Sequence, residues 1–221
     1  MKIKGAIFDM DGTLIDSLGI WEVFWSEIGK RYMHDDSFVP DEELDRKCRT
    51  TLFSEDIRLV KDFYKLSESF EELLEFGEAL IYDYYRTKTE VKRGVIELLE
   101  YLKANNVKMC LASAGDRRYI DAAFDALGLG KYITEIISCA DVGKGKDAPD
   151  VFYRAAEVLG EGVGDICVFE DSCVAIETAK KAGFITVGVF DKHSFGHDRL
   201  KAASDHYVDD GMSLDSIIDK L

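Results

Sequence analysis

Two aspartates, one residue apart, follow the first apolar run of the chain and could do chemistry on a phosphate group. Asp9 and Asp11 come directly after the run 3–8, within the stretch KIKGAIFDMDGTLIDS. A run of this length that stops at a turn signal predicts a buried strand, with both carboxylates in the loop at its carboxyl end. Asp9 is suited to attack phosphorus and Asp11 to act as the acid/base beside it, while Gly12 permits the tight turn. An ordinary Asp-Gly turn that closes a strand is the alternative.

Polar side chains also follow two later apolar runs. Ser113 comes after the predicted strand 107–112, and Glu170 and Asp171 come after the predicted strand 166–169. Because the carboxyl ends of parallel strands meet at one edge of a sheet, we expect these groups near the first aspartate pair. Ser113 could then donate a hydrogen bond to a phosphate. A serine that only starts a helix, and a solvated strand end, are the alternatives.

The carboxylates at these strand ends predict a magnesium site. Two ionised carboxylates held close together repel each other, and a hard cation with oxygen ligands relieves that repulsion. We therefore expect Asp9, Asp11, Glu170 and Asp171 to be the metal ligands.

Strands alternate with helices over most of the chain, which predicts an α/β fold with a parallel sheet and helices on both faces. The predicted strands are 3–8, 107–112, 135–138, 166–169 and 186–190. Residues 18–87 show only helical periodicity, which indicates an all-helical block inserted after the first strand. We expect a core domain of residues 1–16 and 91–221 and a helical domain of residues 17–90. A helical half of a single domain is the alternative.

Capping residues predict where several core helices begin and end. Asp116 and Ser172 follow strands and are suited to N-cap the next helix, and Asp147 could cap a helix with Pro149 in its first turn. Gly128 or Gly130 would end the helix that follows Asp116.

Composition excludes several classes of function. The chain has 221 residues, and its net charge of −15 argues against nucleic-acid binding and against attraction to an anionic membrane. The first apolar run stops at Asp9, so we do not expect it to be a signal peptide. The five cysteines form no CxxC pair, which predicts reduced, buried thiols. Reduced thiols predict a cytoplasmic protein, and we expect it to be a monomer.

Four stretches resemble, in order, the motifs of the haloacid dehalogenase-like superfamily of phosphohydrolases. They are FDMDGTLIDS, LASAGD, KDAPDVF and FEDSCVAIETAKKAG, and the pattern looks most similar to the β-phosphoglucomutase-like phosphatase subgroup. The resemblance implies a Rossmann-like three-layer core with an inserted helical cap. It also implies magnesium-dependent hydrolysis of a small phosphate monoester, such as a sugar phosphate, through an aspartyl-phosphate on Asp9, with Asp11 as general acid/base.

The resemblance also selects the phosphate-binding lysine. The superfamily places its lysine just before an x-A-P-D helix start, which favours Lys146 over Lys144 as the partner of Ser113 in binding phosphate. The chain departs from the family pattern at Asp147, where proline is usual. It also lacks the usual proline before the glycine in Lys92-Arg93-Gly94.

Related caps place a substrate loop between two cap helices. The corresponding positions here are Arg49, Thr50 and Thr51, which we expect to contribute to substrate specificity. A solvated helix end is the alternative.

Two other functions remain open at this point. The first is a β-phosphoglucomutase-type sugar phosphomutase; Trp21 lies in the region where mutases that resemble this chain carry a histidine, which favours the phosphatase. The second, more distant, is a phosphorylatable signalling module with an Asp, a hydroxyl and a lysine on a parallel sheet. That module would be shorter and would need no inserted helical block.

Overall fold

The computed structural model describes residues 3–48 and 53–221 and divides into two compact units. The core unit comprises Met1–Leu18 with Thr89–Leu221, and the helical unit comprises Gly19–Lys88. These limits lie two residues from the expected domain boundaries.

The strands of the core unit form one large parallel sheet and one short antiparallel pair. In chain order they are β1 (Gly5–Phe8), β2 (Ile15–Asp16), β3 (Glu90–Val91), β4 (Lys108–Ser113), β5 (Glu135–Ser138), β6 (Ile166–Glu170), β7 (Ile185–Val189) and β8 (His206–Val208). The sheet order is β5-β4-β1-β6-β7-β8, and all neighbouring strands run parallel. β1 therefore lies between β4 and β6, so the ends of these three strands are neighbours at one edge.

The helical unit is built from amphipathic helices. They are α1 (Ile20–Ile28), α2 (Glu42–Cys48), α3 (Phe53–Tyr64) and α4 (Phe70–Thr87), and a π-helical turn, Gly29–Met33, extends α1. Phe24, Ile28, Ile57 and Leu73 are among the buried residues of its apolar cluster. Ser69 and Glu72 form a capping box at the start of α4, which supplies partners for two backbone N–H groups.

Further helices connect the strands of the core unit. They are α5 (Val95–Ala104), α6 (Arg117–Leu127), α7 (Cys139–Val142), α8 (Asp150–Leu159), α9 (Cys173–Lys181) and α10 (His197–Ala203). A buried cluster joins Ile7 and Val168 of the sheet to Phe152 of α8 and Ala179 of α9. Because side chains alternate along a strand, Phe8 and Phe169 point to the other face, where their rings stack with centroids 4.5 Å apart.

The α/β class and the predicted strands are confirmed, with ends that differ by one or two residues. β8 and the β2–β3 pair were missed, because strands of two or three residues are too short for a pattern of alternation. Asp147 is not an N-cap: residues 145–148 form a turn, with Ala148 N donating to Gly145 O at 3.1 Å, so α8 begins only after Pro149. Asp116, Ser172 and Gly128 cap their helices as predicted.

All five cysteines are free and buried, in agreement with the prediction. No helix within the described ranges is long and apolar enough to cross a membrane.

Candidate active site

The loop after β1 presents its carboxylates in a fixed conformation. The Asp9 N–H donates to the carbonyl of Phe169 on β6 at 3.0 Å, which ties the end of β1 to its neighbour. The Asp11 Oδ1 accepts a 2.6 Å hydrogen bond from the Ser17 hydroxyl. Gly12 has a φ of +78°, and a Cβ there would lie 2.7 Å from Asp171 Oδ2. Gly12 is therefore required both for the turn and for the approach of that carboxylate.

Three carboxylates form a buried acidic cluster that could hold a metal ion. Asp9, Glu170 and Asp171 each offer an oxygen, and these oxygens lie within 4.8 Å of one another. Glu170 Oε2 accepts the Ser172 N–H at 2.9 Å, which fixes the glutamate at the start of α9. A set of carboxylate oxygens suits a hard divalent cation. The cluster identified among the described residues does not include the Asp11 carboxylate, so its role as a ligand stays a prediction.

Lys146 lies inside this cluster, whereas Lys144 does not. The Lys146 ammonium donates to Asp9 Oδ1 and to Glu170 Oε1, the latter at 2.6 Å, and its side chain is only 11% exposed. Lys144 pairs with Asp150 on the surface, where its side chain is 57% exposed. The structure thus places Lys146, the lysine that the resemblance selects, at the site.

Ser113 lies at the end of β4, next to the loop that carries Asp11. It is buried, and its hydroxyl oxygen accepts the Gly115 N–H at 3.0 Å. A Cβ on Gly115 would lie 3.2 Å from Ser113 Oγ and 3.7 Å from Asp11 Oδ2, so both groups flank that glycine. The Ser113 hydroxyl proton can therefore be donated elsewhere, as binding of a phosphate oxygen requires.

The site holds more buried carboxyl groups than positive charges, and the pKa values of Asp9 and Asp171 are raised. Burial, with added contributions from Glu170 and Asp11, raises the pKa of Asp9 to about 8 despite the opposing effect of Lys146. Burial also raises the pKa of Asp171 well above its usual value, with added contributions from Glu170 and Asp9. For Lys146 burial lowers the pKa, but Asp9 and Glu170 outweigh it and the net shift is upward. One lysine does not balance these carboxylates, and a divalent cation would.

Two hydroxyl groups that contact the cluster were missed from the sequence. Thr13 Oγ1 lies 3.4 Å from Asp171 Oδ1, and the Ser194 hydroxyl donates to Asp171 Oδ2. Thr13 lies in the first motif, as does Ser17. Its place in that motif could have indicated that it lies at the site. Ser194 follows β7 by five residues, and the rule that polar groups gather at strand ends points to this loop as well.

The structure thus brings together the six predicted site residues of the core unit, at the ends of β1, β4 and β6 and in the turn before α8. They are Asp9, Asp11, Ser113, Lys146, Glu170 and Asp171. The expected specificity residues, Arg49, Thr50 and Thr51, lie outside the described residues.

Comparison with known proteins identifies relatives that match over most of this chain. A family model described as haloacid dehalogenase-like hydrolase matches residues 3–183. A phosphorylated carbohydrates phosphatase from Thermotoga maritima is 27% identical over 206 residues, which are 91% of this chain and 92% of that relative. A validoxylamine A 7'-phosphate phosphatase from Streptomyces hygroscopicus subsp. limoneus is 29% identical over 198 residues, which are 86% of this chain and 87% of that relative.

The fold also occurs in solved structures. The crystal structure of a β-phosphoglucomutase from Clostridium difficile superimposes with a TM-score of 0.71 at 21% sequence identity, and the match covers 97% of this chain and 93% of that one. At this identity the likeness shows a shared fold.

Proposed function

Since the chain belongs to the haloacid dehalogenase-like hydrolase family, we propose that it is a magnesium-dependent phosphatase that hydrolyses a small phosphate monoester, a sugar phosphate or a related metabolite. The observation that carries the proposal is the buried group in which Lys146 binds both Asp9 and Glu170 beside Asp171. A carboxylate nucleophile and a cation against the phosphate oxygens are what phosphoryl transfer to an aspartate needs. The relatives named as phosphatases of phosphorylated carbohydrate and of a 7'-phosphate ester support the same substrate class.

The first half of the reaction transfers the phosphoryl group to the protein. An Asp9 carboxylate oxygen attacks phosphorus, the bond from phosphorus to the ester oxygen breaks, and Asp11 gives that oxygen its proton. Ser17 holds Asp11 through Oδ1, which orients the carboxyl for this transfer. Ser113 donates to a phosphate oxygen, and Lys146 neutralises charge that develops on the phosphoryl group.

The second half regenerates Asp9. Asp11, now ionised, takes a proton from water, and the water oxygen attacks phosphorus of the aspartyl-phosphate. The bond from phosphorus to the Asp9 oxygen breaks, so inorganic phosphate and a free carboxylate are formed. Asp11 thus acts as acid in one half and base in the other, which its place in the loop after β1 allows.

Asp9, Glu170 and Asp171 would hold the magnesium ion. When bound, it supplies positive charge that screens these carboxylates from the incoming phosphate. The raised pKa values of Asp9 and Asp171 fit this assignment, because buried carboxyl groups that keep their protons in the absence of metal release them to solvent when a cation binds.

The sugar phosphomutase remains the alternative reaction on the same fold. The likeness to a β-phosphoglucomutase is structural and at 21% identity, whereas the two sequence relatives described above are named as phosphatases. Family membership also disfavours the phosphorylatable signalling module.

We further propose that the protein is a cytoplasmic monomer without a nucleic-acid partner. Gel filtration measures whether it is a monomer.

A panel of phosphate esters tests the proposal. Release of inorganic phosphate is measured with magnesium for aryl, glycerol and sugar phosphates, and Asp9→Asn serves as the inactive control. β-Glucose 1-phosphate with a trace of the 1,6-bisphosphate is included. Phosphate release that depends on Asp9 supports the proposal, whereas rapid formation of glucose 6-phosphate with little free phosphate would show a mutase.

A further inference from the structure

Two hydroxyl groups lie beside the Asp171 carboxylate. Ser194 donates to Oδ2, and Thr13 lies 3.4 Å from Oδ1, beyond the usual length of a hydroxyl hydrogen bond. Ser194 therefore makes the closer contact. Asp171 is buried and belongs to the acidic cluster, so this hydrogen bond restrains the orientation of a carboxylate that faces the other two.

The loop that carries Ser194 has a conformation of its own. Asp191 Oδ1 accepts the His193 N–H at 2.9 Å, and the Asp191 carbonyl accepts the Ser194 N–H at 3.1 Å. The first bond forms an Asx turn and the second closes a β-turn over residues 191–194, which begins two residues after β7. Phe190 N donates to the Val208 carbonyl at 2.9 Å, so the start of the turn is also tied to β8.

Lys92 joins this turn to the loop after β1. Its ammonium donates to Asp191 Oδ2 at 2.7 Å, to the Phe190 carbonyl at 3.0 Å and to the Gly12 carbonyl at 2.7 Å. These contacts use all three protons of the ammonium. Asp191 is only 3% exposed, so the pair lies largely out of water. A single side chain thereby links the Ser194 turn to the loop after β1.

We infer that Ser194 is a positioning residue for the metal ligand Asp171, and that the Lys92–Asp191 ion pair holds Ser194 in place. The inference rests on the proposed function, because it assigns Asp171 to magnesium. Groups that orient a metal ligand by a hydrogen bond commonly change metal affinity by about 10–100-fold when they are removed. Ser194 and Lys92 both lie outside the four sequence motifs.

Magnesium titration of the metal-stripped full chain by calorimetry tests the inference without any substrate. Ser194→Ala is expected to bind magnesium about 10-fold more weakly, and Ser194→Thr, which keeps the hydroxyl, to restore the affinity. Ser204→Ala is the matched control, since its hydroxyl donates to the Leu200 carbonyl at 2.7 Å on the next helix. Lys92→Met is expected to weaken magnesium binding in the same direction as Ser194→Ala. A thermal melt of each variant confirms that it is folded at the temperature of the titration.

The outcomes separate the inference from the proposed function. One outcome overturns the inference and leaves the metal site standing: the wild-type protein binds magnesium, Asp171→Asn does not, and Ser194→Ala binds it as the wild-type protein does. Equal weakening in Ser194→Ala and Ser204→Ala would also overturn it, because a general loss of stability would then be the cause. Unchanged magnesium affinity in Lys92→Met would overturn the inference that the Lys92–Asp191 ion pair holds Ser194 in place. Absence of magnesium binding by the wild-type protein would overturn both the metal assignment and the inference.

Discussion

Replacing Lys146 with methionine should destabilise the metal-free protein strongly. The ammonium binds Asp9 and Glu170, whose side chains are 9% and 2% exposed, so its removal leaves buried carboxylates without their counter-charge. Breaking a buried ion pair by removing one partner costs about 3–5 kcal/mol. For a chain of this size 1 kcal/mol corresponds to about 2–4 °C in Tm, so Lys146→Met should melt about 6–20 °C lower in EDTA.

The loss of stability in Lys146→Met should grow as the pH rises. Burial raises the pKa of Asp9 to about 8, and Lys146 opposes that rise, so the variant's Asp9 has a still higher pKa. A carboxyl whose folded pKa exceeds its unfolded pKa stabilises the fold at low pH and loses that contribution as pH rises through the folded pKa. Above about pH 8 the wild-type Asp9 ionises beside Lys146. In the variant, Asp9 must either keep its proton or carry a buried negative charge without a partner. Melts at about pH 6 and about pH 9 measure the difference.

Lys144→Met is the matched control for this prediction. The Lys144–Asp150 pair is 57% and 37% exposed, and such surface pairs contribute about 0–1 kcal/mol. If Lys146→Met melts at the same temperature as Lys144→Met in EDTA, Lys146 is not the counter-charge of a buried cluster and the reasoning is refuted. Phosphatase activity should separate the two variants as well, with a loss of about 10²–10³-fold in kcat for Lys146→Met only.

Further predictions concern the same loops. Asp9→Asn should abolish phosphate release and Asp11→Asn nearly so, both with a native circular dichroism spectrum; wild-type turnover in Asp9→Asn would exclude the covalent mechanism. Chelation with EDTA should abolish activity and added magnesium restore it, and full activity in EDTA would remove the metal from the mechanism. Magnesium affinity, measured by calorimetry, should rise with pH up to about 8, because Asp9 and Asp171 must release protons to bind the cation; an affinity independent of pH would contradict the raised pKa values. Gly12→Ala should lower Tm and activity together, since its φ is +78° and the new Cβ would lie 2.7 Å from Asp171 Oδ2; wild-type values for both would show that the loop can move aside.

Local patterns of sequence determined the α/β class and most of the candidate site. Asp9, Ser113 and Glu170 each follow a buried run, and parallel strands place such positions at one edge whatever the details of packing. The same reasoning could not detect β8 or the β2–β3 pair, which are too short for a period to appear. It also misplaced the start of α8, because a turn at residues 145–148 competes with Asp147 as a cap.

Only the tertiary structure decided which distant side chains meet at the site. Lys146 precedes α8 and follows no strand; the resemblance selected it, and its contacts with Asp9 and Glu170 appear only in the fold. Lys92 and Ser194 belong to no motif, yet one joins two active-site loops and the other holds Asp171. The physical reason is that periodicity and turn signals act over a few residues, whereas these contacts join residues 23 to 137 positions apart. They form only where packed strands and loops bring a long side chain within reach of a buried carboxylate.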